Sequence, residues 1–159
     1  MEPGGSAERM TFTNTRAREL WARTRVHVWP EAYLLVSLPV ELAVKAAAAA
    51  ARARPAFAAA VLERDEVSLT VPEGTWSSDP LRERARAESG PFRVLSFDLD
   101  LDLDVCGYLA PAAAALAAAE VPIVPQCAYL KDHLIVPEGK LDAALAALDA
   151  LIAEARNAS

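Results

Sequence analysis

Cysteine and histidine are scarce in this sequence of 159 residues, which carries two of each. Cys106 and Cys127 are too few for a disulfide framework, and their neighbours read as apolar, so both are expected to pack as small hydrophobes. His27 and His133 stand far apart without a Cys or Glu partner at metal-ligand spacing, which argues against a zinc site. Basic residues are also short: 16 Lys and Arg face 22 Asp and Glu, for a formal net charge of −6. Binding to nucleic acid rests on clustered Lys and Arg, so no nucleic-acid partner is expected. The single basic run, Arg16, Arg18, Arg23 and Arg25, reads as a solvated helix face.

Long apolar runs are missing too. Residues 40–62 are rich in alanine, but Arg52, Arg54 and Pro55 interrupt them and alanine is only weakly apolar, so no membrane span is expected. There is no signal-peptide-like apolar stretch, and the expected location is the cytoplasm. No phosphate loop, serine elbow or paired-carboxylate motif is present. The sequence therefore implies no cofactor, no metal and no enzyme. A Cys–His nucleophile needs Cys106 or Cys127 beside His133, which alternates with Asp132 on an expected strand.

What the chain does have is 53% hydrophobic residues, enough for a core in one domain or two small ones. Residues 1–28 show no stable pattern and read as a flexible tail. Residues 32–38 alternate, with Tyr33, Leu35 and Ser37 on one face and Leu34, Val36 and Leu38 on the other, the period of a strand. Residues 40–53 are helix formers closed by Pro55. Residues 58–63 and 67–71 form a hairpin around Arg64-Asp65-Glu66. Asp79-Pro80 starts a helix expected to run through residues 81–88. Ser89-Gly90-Pro91 is taken as its end and as the boundary between halves.

The second half repeats this order. Residues 92–103 read as a strand ending with Asp98, Asp100, Asp102 and Asp104 on an acidic face, solvated rather than calcium-binding because metal oxygens must converge from a turn. Gly107 turns the chain into a helix over residues 108–119, with Leu109, Ala112, Ala113 and Leu116 in a stripe. A hairpin over residues 121–136 and a helix bearing Leu141, Leu145, Leu148 and Ile152 follow. Val71-Pro72-Glu73-Gly74 recurs as Val136-Pro137-Glu138-Gly139, so two copies of a β-α-β-β-α unit account for the chain.

Asp102-Leu103-Asp104-Val105-Cys106-Gly107, the helix end Ala119-Glu120-Val121-Pro122-Ile123, and Tyr129-Leu130-Lys131-Asp132-His133-Leu134 resemble ACT domains. The chain is most similar to the tandem ACT branch that includes cytosolic arginine-sensor proteins. That resemblance implies an α+β fold of two ferredoxin-like, ACT-like units in tandem: residues 29–90, a divergent copy, and residues 91–156. It implies an amino-acid effector at an inter-domain interface and a homodimer. Carried over by position, Gly107 is the turn glycine, Asp104 meets an effector ammonium, and N–H groups near Tyr108 hold its carboxylate. Val105 and Cys106 complete that turn. Across from it stand Ala128, Tyr129 and Asp132, with Asp132 facing a cationic side chain. Cys127-Ala128-Tyr129 departs from the branch's Ser-Thr-aromatic pattern and so removes one ligand hydroxyl, while Lys131 is placed to pair with Asp132.

Bland readings stand beside these: Asp104 as a helix N-cap, Gly107 as a plain turn glycine, Asp132 as a solvated hairpin tip, Tyr129 as cover for the sheet. The expected function is a small-molecule sensor or regulatory protein of the ACT type. The alternative is a ligand-free ACT-like oligomerisation or interaction module. An enzyme of unknown chemistry is the third reading.

Overall fold

In the computed structural model, which describes residue 12 and residues 14–157, the first element starts at Asn14. The Asn14 side-chain oxygen accepts the Ala17 N–H at 2.7 Å and caps helix α1, Thr15–Arg23. Strand β1, Val26–Val28, follows. The flexible-tail expectation therefore fails over residues 15–28; the rest of that tail, residue 12 excepted, lies outside the described residues. The sequence signal is weak because α1 buries only Ala17 and Trp21, one turn apart, too short a stripe to read as amphipathic.

The next elements follow the expected order. Strand β2, Tyr33–Leu38, leads through a short 3-10 turn into helix α2, Ala43–Arg52. Strands β3, Ala59–Leu62, and β4, Val67–Pro72, form the hairpin. Here the repeat diverges. Val71-Pro72-Glu73-Gly74 opens only a four-residue helix α3, Glu73–Trp76, and a 3-10 turn, Pro80–Arg84, capped by Asp79. The helix expected over residues 81–88 stops early because sheet pairing takes the chain: Arg86 N–H donates to the Ser37 carbonyl, and strand β5, Ala87–Phe97, begins.

Strand β5 runs through the Gly90-Pro91 boundary expected from sequence. Its first part pairs with β2, from Ala87 opposite Ser37 to Phe92 opposite Tyr33. Its second part pairs with β1 on one side and, on the other, with β7, Asp132–Pro137. Gly90 permits the crossing. Its φ of 154° lies in glycine's territory, and an added Cβ would stand 2.7 Å from Leu34 Cδ2 and 2.8 Å from the Tyr33 carbonyl oxygen. The acidic face expected on this strand is instead a loop, because β5 ends at Phe97 where β1 and β7 cease to pair with it.

After that loop come helix α4, Leu109–Ala118, strand β6, Val124–Cys127, then β7 and helix α5, Leu141–Asn157. The sheet runs β3-β4-β2-β5-β7-β6, with β1 paired to β5 off this path. Each half thus holds an antiparallel ferredoxin-like order: the first part of β5 beside β2, β4 and β3, and β1 beside the second part of β5, β7 and β6. The fold is the α+β, ACT-like one expected.

Three apolar clusters hold it together. One lies under α2 with Val36, Leu38, Leu69 and Trp76. A larger one joins α1, α4 and α5 to Leu95, Phe97, Leu134 and Val136, so α1 and β1 belong structurally to the second half. A third, Tyr33, Val94 and Ile135 with Trp29 and Phe57 against them, sits on the faces that carry no helix. There the curled sheet brings its halves together: Gln126 on β6 donates to the Thr70 hydroxyl on β4 at 2.7 Å, and the rings of Phe57 and His133 lie 4.7 Å apart. Among the described residues no helix is long and apolar enough to cross a membrane.

Candidate functional site

Two turns of the second half meet at one cleft. The β5–α4 loop and the start of α4 supply one wall, and the β6–β7 turn supplies the other. The volume is about 400 Å³. Six of the eight residues singled out in sequence line it: Val105, Gly107, Tyr108, Ala128, Tyr129 and Asp132. Asp104 and Cys106 do not. Asp104 lies in an adjoining recess with Leu103 and Tyr129.

Gly107, with φ of 80°, occupies the left-handed region that lets the loop turn into α4. The helix N-cap is Tyr108, whose side chain makes no capping hydrogen bond, and Pro111 brings no N–H. The first-turn N–H groups of α4 thus meet the cleft without a side-chain acceptor, the electrostatics that suit an anion. Asp104 is not that cap.

Tyr108 is fixed from behind by the segment that sequence reasoning treated as tail. Its ring stacks on Trp21, its carbonyl accepts the Trp21 indole N–H at 2.7 Å, and its hydroxyl shares a 2.6 Å hydrogen bond with Thr24. Burial pushes the phenol up to about 12, so it stays neutral. Asn14 donates to the Cys106 carbonyl at 3.1 Å and ties the same loop to the start of α1. Nothing in the local sequence pattern points to these supports; Trp21 in an otherwise polar segment is the one signal that could have.

The carboxylates sort by partner. Arg16 bridges Asp102 at 3.3 Å and Asp104 at 3.1 Å, so the acid expected to meet an effector ammonium already has a cation. Lys131 reaches Asp98 at 2.5 Å and Asp100 at 3.7 Å rather than its neighbour Asp132, and it holds the Asp98 carboxyl below the usual range. No cation among the described residues pairs with Asp132. Its carboxylate takes a hydrogen bond from the Cys127 thiol, which that bond, burial and the negative charge push up to about 11. Both cysteines are exposed, against the packing expected for them, because Cys106 sits in the β5–α4 loop and Cys127 ends the edge strand β6.

The cleft therefore places bare helix N–H groups on one side and an unneutralised carboxylate on the other. Leu103, Tyr129 and Leu130 stand at its mouth, exposed by 75%, 77% and 42%. His133, next to Asp132, points to the opposite side of the sheet and is buried against Ser96. Among the described residues no group of three or more His, Cys, Asp and Glu is placed to hold a metal ion.

Residues 89–150, which contain this cleft, match the family model of the ACT domain. The fold as a whole is similar to that of a Vibrio cholerae protein of unknown function described as a possible transport protein, at 17% identity and a TM-score of 0.64 over 88% of this chain and 99% of the other. An Agrobacterium tumefaciens protein is similar at 18% identity and a TM-score of 0.66, over 81% and 89% of the two chains. The regulatory subunit of aspartate kinase from Thermus flavus is similar at 16% identity and a TM-score of 0.57, over 79% and 95%. At these identities the likeness is one of fold. No curated protein matches the sequence.

Proposed function

We propose that the protein is a regulatory module that binds a small zwitterion, an amino acid or close relative, in the cleft between α4 and the β6–β7 turn. The observation that carries this reading is the pairing of uncapped α4 N–H groups with the carboxylate of Asp132 across about 400 Å³. The N–H groups suit the ligand carboxylate, and Asp132 suits its ammonium or a cationic side chain. The ACT match over the residues that build the cleft supports the same reading. Signalling follows by population shift, the ligand favouring whichever arrangement of the β5–α4 loop completes its site. The reading includes no catalytic step: a thiol held near 11 is a poor nucleophile at neutral pH.

Thermal unfolding against the twenty amino acids tests it. A ligand at about one hundred times its dissociation constant adds about 2.7 kcal/mol, several degrees in a protein of this size. A selective rise lost in Asp132→Asn is the expected result; a flat response across the panel sinks the proposal.

A second reading has its own support in the exposed trio Leu103, Tyr129 and Leu130, which offers an apolar mouth to a second copy of the chain. On that reading the module assembles without a ligand. Light scattering with and without Tyr129→Ser separates the two.

A further inference from the structure

On the far side of the sheet a second cleft, of about 410 Å³, opens between the helix-free faces of the two halves. The register places Val61, Ser68, Ser37 and Ala87 in one row across β3, β4, β2 and β5, with Leu35 beside Ser89 in the next. Val124, Pro125 and Gln126 of β6 close the space from the other half. The walls are mainly aliphatic, and the volume falls in the range of small-molecule sites.

The polar atoms of this cleft have a common bias. Ser37 and Ser68 both line it, and both spend their hydroxyl protons on the Glu66 carboxylate, at 2.5 and 3.0 Å. What they retain is lone pairs. Gln126 spends an amide N–H on Thr70, and its Oε1 is buried without a hydrogen-bond partner among the described residues. A buried carbonyl oxygen that lacks a donor is uncommon in folded proteins and is relieved by any N–H or O–H that reaches it. Apart from the exposed Ser89 hydroxyl at its rim, the cleft thus offers acceptors in an aliphatic wall, the opposite of the first cleft, which offers charge at both ends.

We propose that this second cleft binds a small uncharged molecule with an aliphatic body and an N–H or O–H donor, of the class of primary amides and alcohols, donating to Gln126 Oε1. Charged amino acids are excluded by the aliphatic walls, which provide no compensating ion, so the two clefts take different chemistries. Val61 and Val124, exposed by 50% and 40%, flank the opening and give the aliphatic body its contacts.

The test is an NMR titration of the full chain, labelled at valine methyls and side-chain amides, with isobutyramide as probe. Its control is 3-methyl-2-butanone, which has the same shape and an acceptor but no donor. The expected result is saturable shifts at Val61, Val124 and the Gln126 amide with isobutyramide, and binding weaker by about tenfold with the ketone. Gln126→Met should weaken isobutyramide to the level of the ketone. Val124→Trp, at an exposed position that leaves Gln126 in place, should abolish both by filling the cleft. Absence of saturable shifts, equal binding of the ketone, or full binding by Val124→Trp overturns the proposal.

Discussion

Trp21 and Tyr108 stack with ring centroids 4.9 Å apart and planes 13° from parallel, although 87 residues separate them in sequence. The same indole meets Phe97 edge-on at 5.0 Å, so three rings from α1, β5 and the start of α4 form one unit beneath the candidate cleft. The N-terminal helix is thus a wall of the second half and the support on which the site's own loop rests. Trp21→Ala is expected to cost about 3–5 kcal/mol, the usual range for deleting a fully buried large aromatic. Trp21→Phe keeps an aromatic ring but removes the pyrrole part of the indole and leaves the Tyr108 carbonyl without its donor, for a smaller loss of about 1–3 kcal/mol. Urea denaturation of both variants checks the order.

Gly90→Ala tests the crossing of β5 between halves. The left-handed backbone and the close Tyr33 carbonyl leave no room for a methyl group. A loss of about 1–3 kcal/mol is expected, comparable with other residues held in disfavoured backbone regions. Gly74→Ala is the control, since a Cβ there meets nothing within 4 Å. Equal melting temperatures for the two variants would contradict the crossing as described.

His133 should make stability depend on pH. The Trp29 indole donates to Ser96 Oγ at 2.8 Å, and the same hydroxyl shares a 2.6 Å hydrogen bond with His133 Nδ1, which fixes the ring in the sheet. Burial lowers its pKa from 6.5, against the attraction of Asp132 and with the repulsion of Lys131. For a base whose folded pKa is depressed, the unfolded chain binds more protons in the window between the two values. Stability is then full above about 6.5 and falls as pH drops toward the folded pKa. His133→Gln should flatten this slope in denaturation curves taken between pH 7.5 and pH 5, values chosen to bracket the window.

Cys127 is exposed yet should alkylate slowly, because Asp132 keeps its thiol protonated. Asp132→Asn removes the charge that raises the thiol and should speed iodoacetamide labelling at Cys127 several-fold near pH 8. Peptide mapping against time reads the rate. An unchanged rate would show that Asp132 does not control the thiol.

Much of this architecture was legible from short patterns. Alternation over residues 33–38 identified β2 and both of its faces, and the repeated Val-Pro-Glu-Gly located the ends of β4 and β7. The repeat failed to show that its two copies lead to different structures. Gly139 opens a helix that buries Ala144, Leu148, Leu151 and Ile152, whereas after Gly74 the chain has Ser77, Ser78 and Asp79 where a stripe would need apolar residues. Gly90-Pro91 punctuates sequence strongly and so read as a break, yet pairing to β2 and then to β1 carries a strand across it. The four aspartates kept a strand's alternation without a strand's partners. At the cleft, Gly107 and Asp132 were singled out by the resemblance to ACT domains, and the partner of each acid was set by tertiary approach. Arg16 and Lys131 took Asp102, Asp104, Asp98 and Asp100 and left Asp132 alone, a choice no local window contains.

Seen from the second half, residues 33–86 are an insertion: its first helix and strand are made before them and the rest of its sheet after. The Arg156 side chain donates to the Ala22 carbonyl at 2.9 Å, which joins the last helix to the first. α1 is therefore made before β2, β3 and β4 and must wait, with Trp21 uncovered, until Phe97 and Tyr108 follow. The backing of the loop that shapes the candidate cleft is thus made before the loop itself, and the two meet only across the whole of the intervening segment.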